Sequence, residues 1–123
     1  MRALWLDVEN RKVEEVEVNE LEDYYKLIDC RCVDIVVRKI GGKPYDIICD
    51  DEGLFKENNP ISAVDENWNP MLVGNLIICG LADSEGELTN LTDDDMKHIR
   101  KRIKAVVSLL KPEGYPILTD CEY

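Results

Sequence analysis

A single histidine, His98, stands among the 123 residues, and only Asp94 and Asp95 lie within its helical reach. A histidine general base needs a positioned partner, so chemistry built on His98 is not expected and the residue reads as an ordinary surface side chain. No glycine-rich phosphate loop follows any apolar segment. No apolar run approaches the roughly 20 residues that cross a bilayer, and Arg2, Asp7 and Glu9 interrupt any signal peptide. The expected location is therefore cytoplasmic, with no membrane partner. The five cysteines are odd in number and scattered among apolar segments, which suits reduced thiols packed as small hydrophobes better than a disulfide framework. Cys30-x-Cys32 is too tightly spaced for a zinc half-site and lacks a second pair. Asp65-x-Asn67-x-Asn69 imitates the start of a calcium loop, but Pro70 stands where glycine is needed and Leu76 where a glutamate closes the site. Neither metal nor cofactor is expected, and no enzyme.

What the chain does hold is negative charge, unevenly placed. Residues 1–91 carry 20 Asp/Glu against 9 Lys/Arg, and residues 92–123 carry 6 of each, so the net charge of −11 lies in the first three quarters. Net charge bears on partners and solubility rather than on fold. An apolar fraction of 45% in 123 residues is that of one globular domain able to bury its own core. The expected layout over residues 1–123 is an acidic β-rich body over 1–91, a basic-faced helix over 92–111, and a tail or edge strand over 112–123.

Local pattern fills in this layout. Residues 2–8 and 13–18 read as a hairpin, with Val16 and Val18 on one face and Glu15 and Glu17 together on the other. Asn19 with Glu22 resembles a capping box before a helix of two to three turns. Residues 32–40 and 44–49 flank Gly41-Gly42, a two-glycine hairpin signal. Asp50-Asp51-Glu52-Gly53 is a turn, residues 55–71 a breaker-rich loop with a brief strand at 61–64, and residues 71–81 one central buried strand in which Gly74 marks a bulge or close approach. Thr92 caps a final helix whose Met96, Ile99, Ile103, Val106, Val107 and Leu110 form one stripe, with Leu91 stapled onto Met96. Residues 117–119 supply a terminal edge strand. The fold class expected is α+β: a mainly antiparallel sheet with a short helix after the first hairpin and a long C-terminal helix packed on it. The length of that stripe also leads us to expect a homodimer.

Two sets of residues carry the functional candidates. Glu14, Glu15, Glu17, Asp50, Asp51 and Glu52 are the acids expected to meet a basic protein partner, although such runs also serve as solvated turns. Phe55 and Trp68, with Arg100 and Arg102 on the helix, form an alternative set in which a ring stacks on a base and the cations take phosphates.

The segment Cys49-Asp50-Asp51-Glu52-Gly53-Leu54-Phe55-Lys56, then Asn58-Asn59-Pro60, Asp65, the strand Met71-Leu72-Val73-Gly74-Asn75-Leu76-Ile77-Ile78-Cys79-Gly80 and the helix start Leu91-Thr92-Asp93 resembles domain of unknown function 3846. That family is carried by phages and conjugative elements of Gram-positive bacteria. The resemblance implies a mobile-element setting and brings no enzyme and no cofactor. It makes counter-defence the leading expectation: an acidic, nucleic-acid-mimicking surface that blocks a host CRISPR or restriction effector, whose channel holds nucleic acid mainly through backbone charge. The alternatives are a sponge for a defence signalling nucleotide and a non-enzymatic accessory protein of the element.

Overall fold

A computed structural model describes residues 1–53, 59–107 and 112–123. Among them are ten strands and two helices, in the order β1 (Arg2–Asp7), β2 (Lys12–Glu17), α1 (Leu21–Ile28), β3 (Val33–Ile40), β4 (Lys43–Asp50), β5 (Ile61–Val64), β6 (Pro70–Val73), β7 (Leu76–Cys79), α2 (Asp93–Arg100), β8 (Ile103–Val106), β9 (Tyr115–Leu118) and β10 (Cys121–Glu122). A six-stranded antiparallel sheet runs β10-β3-β4-β7-β1-β2, and a four-stranded sheet runs β6-β5-β9-β8 with β5 and β9 parallel. No helix of the described residues is long and apolar enough to cross a membrane.

The large sheet has two apolar faces because β7, Leu76–Cys79, is buried at every position, as expected of a central strand. On one face Ala3, Ile48, Ile77 and Cys79 pack with Val18 and Ile28, and Tyr24 and Leu27 of α1 close over them. On the other, Leu4, Leu6, Ile47 and Ile78 meet Ala63 and Leu118 of the small sheet and Met96 and Ile99 of α2. The two hairpins form where turn residues mark them. Gly41 and Gly42 both take positive φ, at 55° and 85°, which is the two-residue geometry that matches strand twist.

The described residues hold no long C-terminal helix and are mostly β, with ten strands in two sheets and two short helices. α2 ends at Arg100, its eighth residue, with Lys101 as its C-cap. The Arg102 N–H turns back to the Ile99 carbonyl at 2.9 Å, the Arg102 carbonyl accepts from Thr119 N–H at 2.7 Å, and β8 then pairs with β9 from Ile103↔Leu118 to Val106↔Tyr115. Ile103, Val106 and Val107 are β-branched and stiff at χ1, so they lose little by leaving the helix. The stripe still reaches one core, since Met96 and Ile99 enter it from a helix and Ile103 and Val106 from a strand. Leu110 of that stripe lies outside the described residues.

Three smaller expectations also shift. Glu20 rather than Asn19 caps α1, with Asp23 completing the box. β9 lies between β5 and β8 rather than at an edge. The single strand expected over 71–81 is two strands in different sheets, with Gly74 at the corner: its φ is 76°, its N–H donates to Pro60 O at 2.8 Å, and a Cβ there would lie 3.0 Å from Asn59 Oδ1. Gly74→Ala is expected to lower stability by about 1–2 kcal/mol, the usual cost of a left-handed non-glycine residue, read as an earlier urea midpoint.

Candidate functional site

β2 is an edge strand, and its register with β1 decides where its carboxylates go. Leu4↔Glu15 and Arg2↔Glu17 place Glu15 and Glu17 on the α2 side of the sheet, whereas Trp5↔Glu14 places Glu14 on the α1 side. Each has a cation nearby. Arg2 holds Glu15 through two guanidinium nitrogens and reaches Asp93 Oδ1 at 2.6 Å, and this bond to Arg2 keeps the Glu15 carboxyl below the usual carboxylate range. Glu17 lies 3.1 Å from the Met1 amine and Glu14 3.5 Å from Lys12. Charged side chains on an open edge also discourage strand addition by another chain.

Asp50, Asp51 and Glu52 sit at the opposite end of the same sheet, because β4 runs antiparallel to β7 with Asp46↔Cys79 and Ile48↔Ile77. Asp50 Oδ1 accepts the Glu52 N–H at 2.9 Å, the Asp51 N–H donates to Cys32 O at 3.0 Å, and Glu52 lies 3.4 Å from Arg31. The fold therefore does not gather the six acids on one patch. It displays Glu15 and Glu17 towards one end of the sheet, Asp50, Asp51 and Glu52 at the other, and Glu14 between them on the opposite face. Asp50 and Asp51 border a cleft of about 290 Å³ between β3, the end of β4 and β6, shared with Asp34, Arg38, Leu72 and Tyr123. Burial pushes the Cys49 thiol at its wall up to about 11, and Cys79 and Cys121 likewise to about 12 and 11. Thiols raised in this way are poor nucleophiles at neutral pH.

Phe55 of the alternative set lies outside the described residues. Trp68 is 55% exposed at the tip of the β5–β6 hairpin. Arg102 is half-buried: its Nη1 donates to His98 O at 2.9 Å, its guanidinium crosses Gly41, and among the described residues its buried Nε has no hydrogen-bond partner, with Asp120 Oδ2 at 3.9 Å. Arg100 is exposed on α2 near Glu15. Among the described residues Trp68, Arg100 and Arg102 share none of the clefts, and Arg102 is already engaged with His98.

Two groups escaped the reading of the sequence. The exposed loop carrying Asp83, Glu85 and Glu87 leaves β7 at the end of the sheet where Arg2 and Glu17 pair, so it extends the acidity around Glu15 and Glu17. Its alternating acids were a usable signal. The second group is internal. Asp95, at the third position of α2, accepts from Thr92 N–H at 3.1 Å, Thr92 Oγ1 at 2.9 Å, Tyr45 Oη at 2.8 Å and Lys43 Nζ. Burial disfavours its charge, yet the bonds from Lys43, Thr92 and Tyr45 outweigh burial and hold the carboxyl far below the usual range. His98, expected on the surface, is half-buried, with Nε2 2.7 Å from Ile40 O. A Thr-x-x-Asp cap was visible in the sequence, but nothing there pairs it with Lys43 or Tyr45. Among the described residues no three of His, Cys, Asp and Glu are grouped to hold a metal ion.

Of the residues that carry the resemblance, Gly53, Asn59, Gly74 and Asn75 lie at the corner between the sheets. Asn59 Nδ2 donates to Gly53 O at 2.9 Å beside Gly74, and Asn75 bridges Val8 N–H at 3.0 Å and Leu27 O at 3.1 Å. Their role in the fold is to turn the chain from one sheet into the other. No curated protein and no solved structure matches the chain. A family model described as a domain of unknown function (DUF3846) matches residues 1–104, from β1 to the start of β8. That span covers most of the 123 residues, and the chain belongs to the DUF3846 family.

Proposed function

We propose that this chain is a non-catalytic binding protein of a mobile element which occupies the nucleic-acid channel of a basic host defence effector inside the bacterial cell, with carboxylates standing in for phosphates. The observation that carries the reading is the distribution of charge. The chain carries a net charge of −11, its candidate acids are spread over one large sheet rather than gathered in one patch, and Arg2, Arg11, Lys12, Arg31 and Lys43 each lie against an acid of the same chain. Channels that grip nucleic acid do so through backbone charge over many contacts, so a dispersed acidic surface suits such a channel better than a single patch does. A homodimer has less to recommend it, because Met96 and Ile99 of the expected stripe are buried in the chain's own core.

The test is displacement. Added to a CRISPR effector nuclease or a restriction enzyme bound to labelled target DNA, the purified chain should release the DNA in proportion to its concentration. If DNA stays bound across a panel of such enzymes, and heating the purified chain liberates material absorbing at 260 nm, the nucleotide sponge replaces this proposal.

A further inference from the structure

The exposure of Trp68 is not accounted for by packing. Its backbone φ of 64° places a bulky residue in the left-handed region, where glycine and asparagine are the usual occupants. The turn that imposes this conformation is firmly held. Asp65 Oδ1 accepts from the N–H groups of Asn67 and Asn69, both at 2.9 Å, and Oδ2 from Asn69 Nδ2 at 3.0 Å. The Trp68 N–H donates to Asp65 O and the Asp65 N–H to Asn69 O, both at 3.0 Å. The bonds from Asn69, then Asn67, keep the Asp65 carboxyl below the usual range, so the platform stays charged and ordered in mild acid. A strained residue on a rigid turn that gains little burial is displayed rather than packed.

The ring is also open. Lys12 Nζ lies 5.1 Å from the Trp5 ring, Arg38 4.5 Å from Tyr123 and Lys43 5.5 Å from Tyr45, whereas among the described residues no cation lies over Trp68. Glu66, exposed two residues before it, adds negative potential. We infer that Trp68 is an interaction anchor whose ring face receives an arginine or lysine side chain of the basic partner. Tryptophan is the best aromatic acceptor of such cations and is enriched among interface hot spots. The inference rests on the acidic-partner reading above and adds to it a localised aromatic contact.

The probe is a deca-arginine peptide at low salt, titrated into the full chain while tryptophan emission and affinity are read, with Trp68→Phe separating the signal of Trp5. Binding should change the Trp68 emission. Trp68→Asn should weaken the peptide about 5-fold, the usual scale of one exposed cation–π contact. The same substitution should raise the thermal midpoint by about 2–4 °C, because asparagine tolerates the left-handed turn. Undiminished affinity in Trp68→Asn, or a lowered midpoint showing that the ring holds the fold, would overturn the anchor while leaving the acidic reading in place. No peptide binding by the unaltered chain overturns that reading and the anchor together. Quenching of Trp68 by adenosine monophosphate but not by the peptide reassigns the ring to a nucleotide.

Discussion

Asp95→Ala is expected to lower the unfolding free energy by about 2–4 kcal/mol, the sum of a lost half of the capping box at about 1 kcal/mol and a buried phenol left without its acceptor at about 1–3 kcal/mol. Tyr45 is 1% exposed, so water cannot replace the missing carboxylate. Lys43→Ala should cost under about 1 kcal/mol, because more than half of that side chain is in solvent and its ion pair is largely screened. Urea unfolding of the two variants at pH 7 checks the contrast, and equal losses would mean that the ion pair rather than the cap and phenol joins α2 to the β3–β4 hairpin. The pH dependence has a fixed sign. A carboxyl whose folded pKa is lowered contributes stability above its unfolded value and loses it only as pH falls through the folded one. The Asp95 contribution therefore persists through neutral and mildly acid solution, and disappears only in strong acid.

The two hairpins and the α2 cap were legible because each is written in a few neighbouring residues. The alternation of residues 13–18, the pair Gly41-Gly42 and the Leu91-Thr92 helix start all formed as read. What failed was decided by distant partners. Met96, Ile99, Ile103 and Val106 satisfy a helical period, and only the ladder offered by Tyr115–Leu118 draws Ile103–Val106 out of it. Residues 71–81 read as one apolar strand, and the turn at Gly74, with its positive φ, separates a strand of the small sheet from the centre of the large one. The candidate acids fared similarly. Their exposure follows from local pattern, but their separation across the sheet depends on strand order, which no short window encodes. Asp95 with Tyr45 is the extreme case, a contact across fifty positions between residues that look like a cap and a strand interior.

Reversing charge should reduce binding to a basic effector in steps rather than at a stroke. Glu15→Lys with Glu17→Lys changes one end of the sheet, and Asp51→Lys with Glu52→Lys changes the other. At about 2- to 5-fold for each exposed charge, the four together should weaken binding by roughly 15- to 600-fold, with no single reversal abolishing it. Glu15 also fastens Arg2, so thermal melting of each variant must accompany the affinity. Contact through one dominant carboxylate would concentrate the loss in one variant.

The most direct test is the affinity of the unaltered chain for a nuclease effector that the displacement assay shows it to release from DNA, measured as salt rises from 0.05 to 0.5 M. Screening at about 10 Å in 0.1 M salt shortens to about 3 Å at 1 M, so an interaction spread over exposed carboxylates should weaken steeply and continuously across that range. An affinity that stays level with salt, and is abolished by Trp68→Ala or Arg100→Ala alone, would contradict the acidic-surface account.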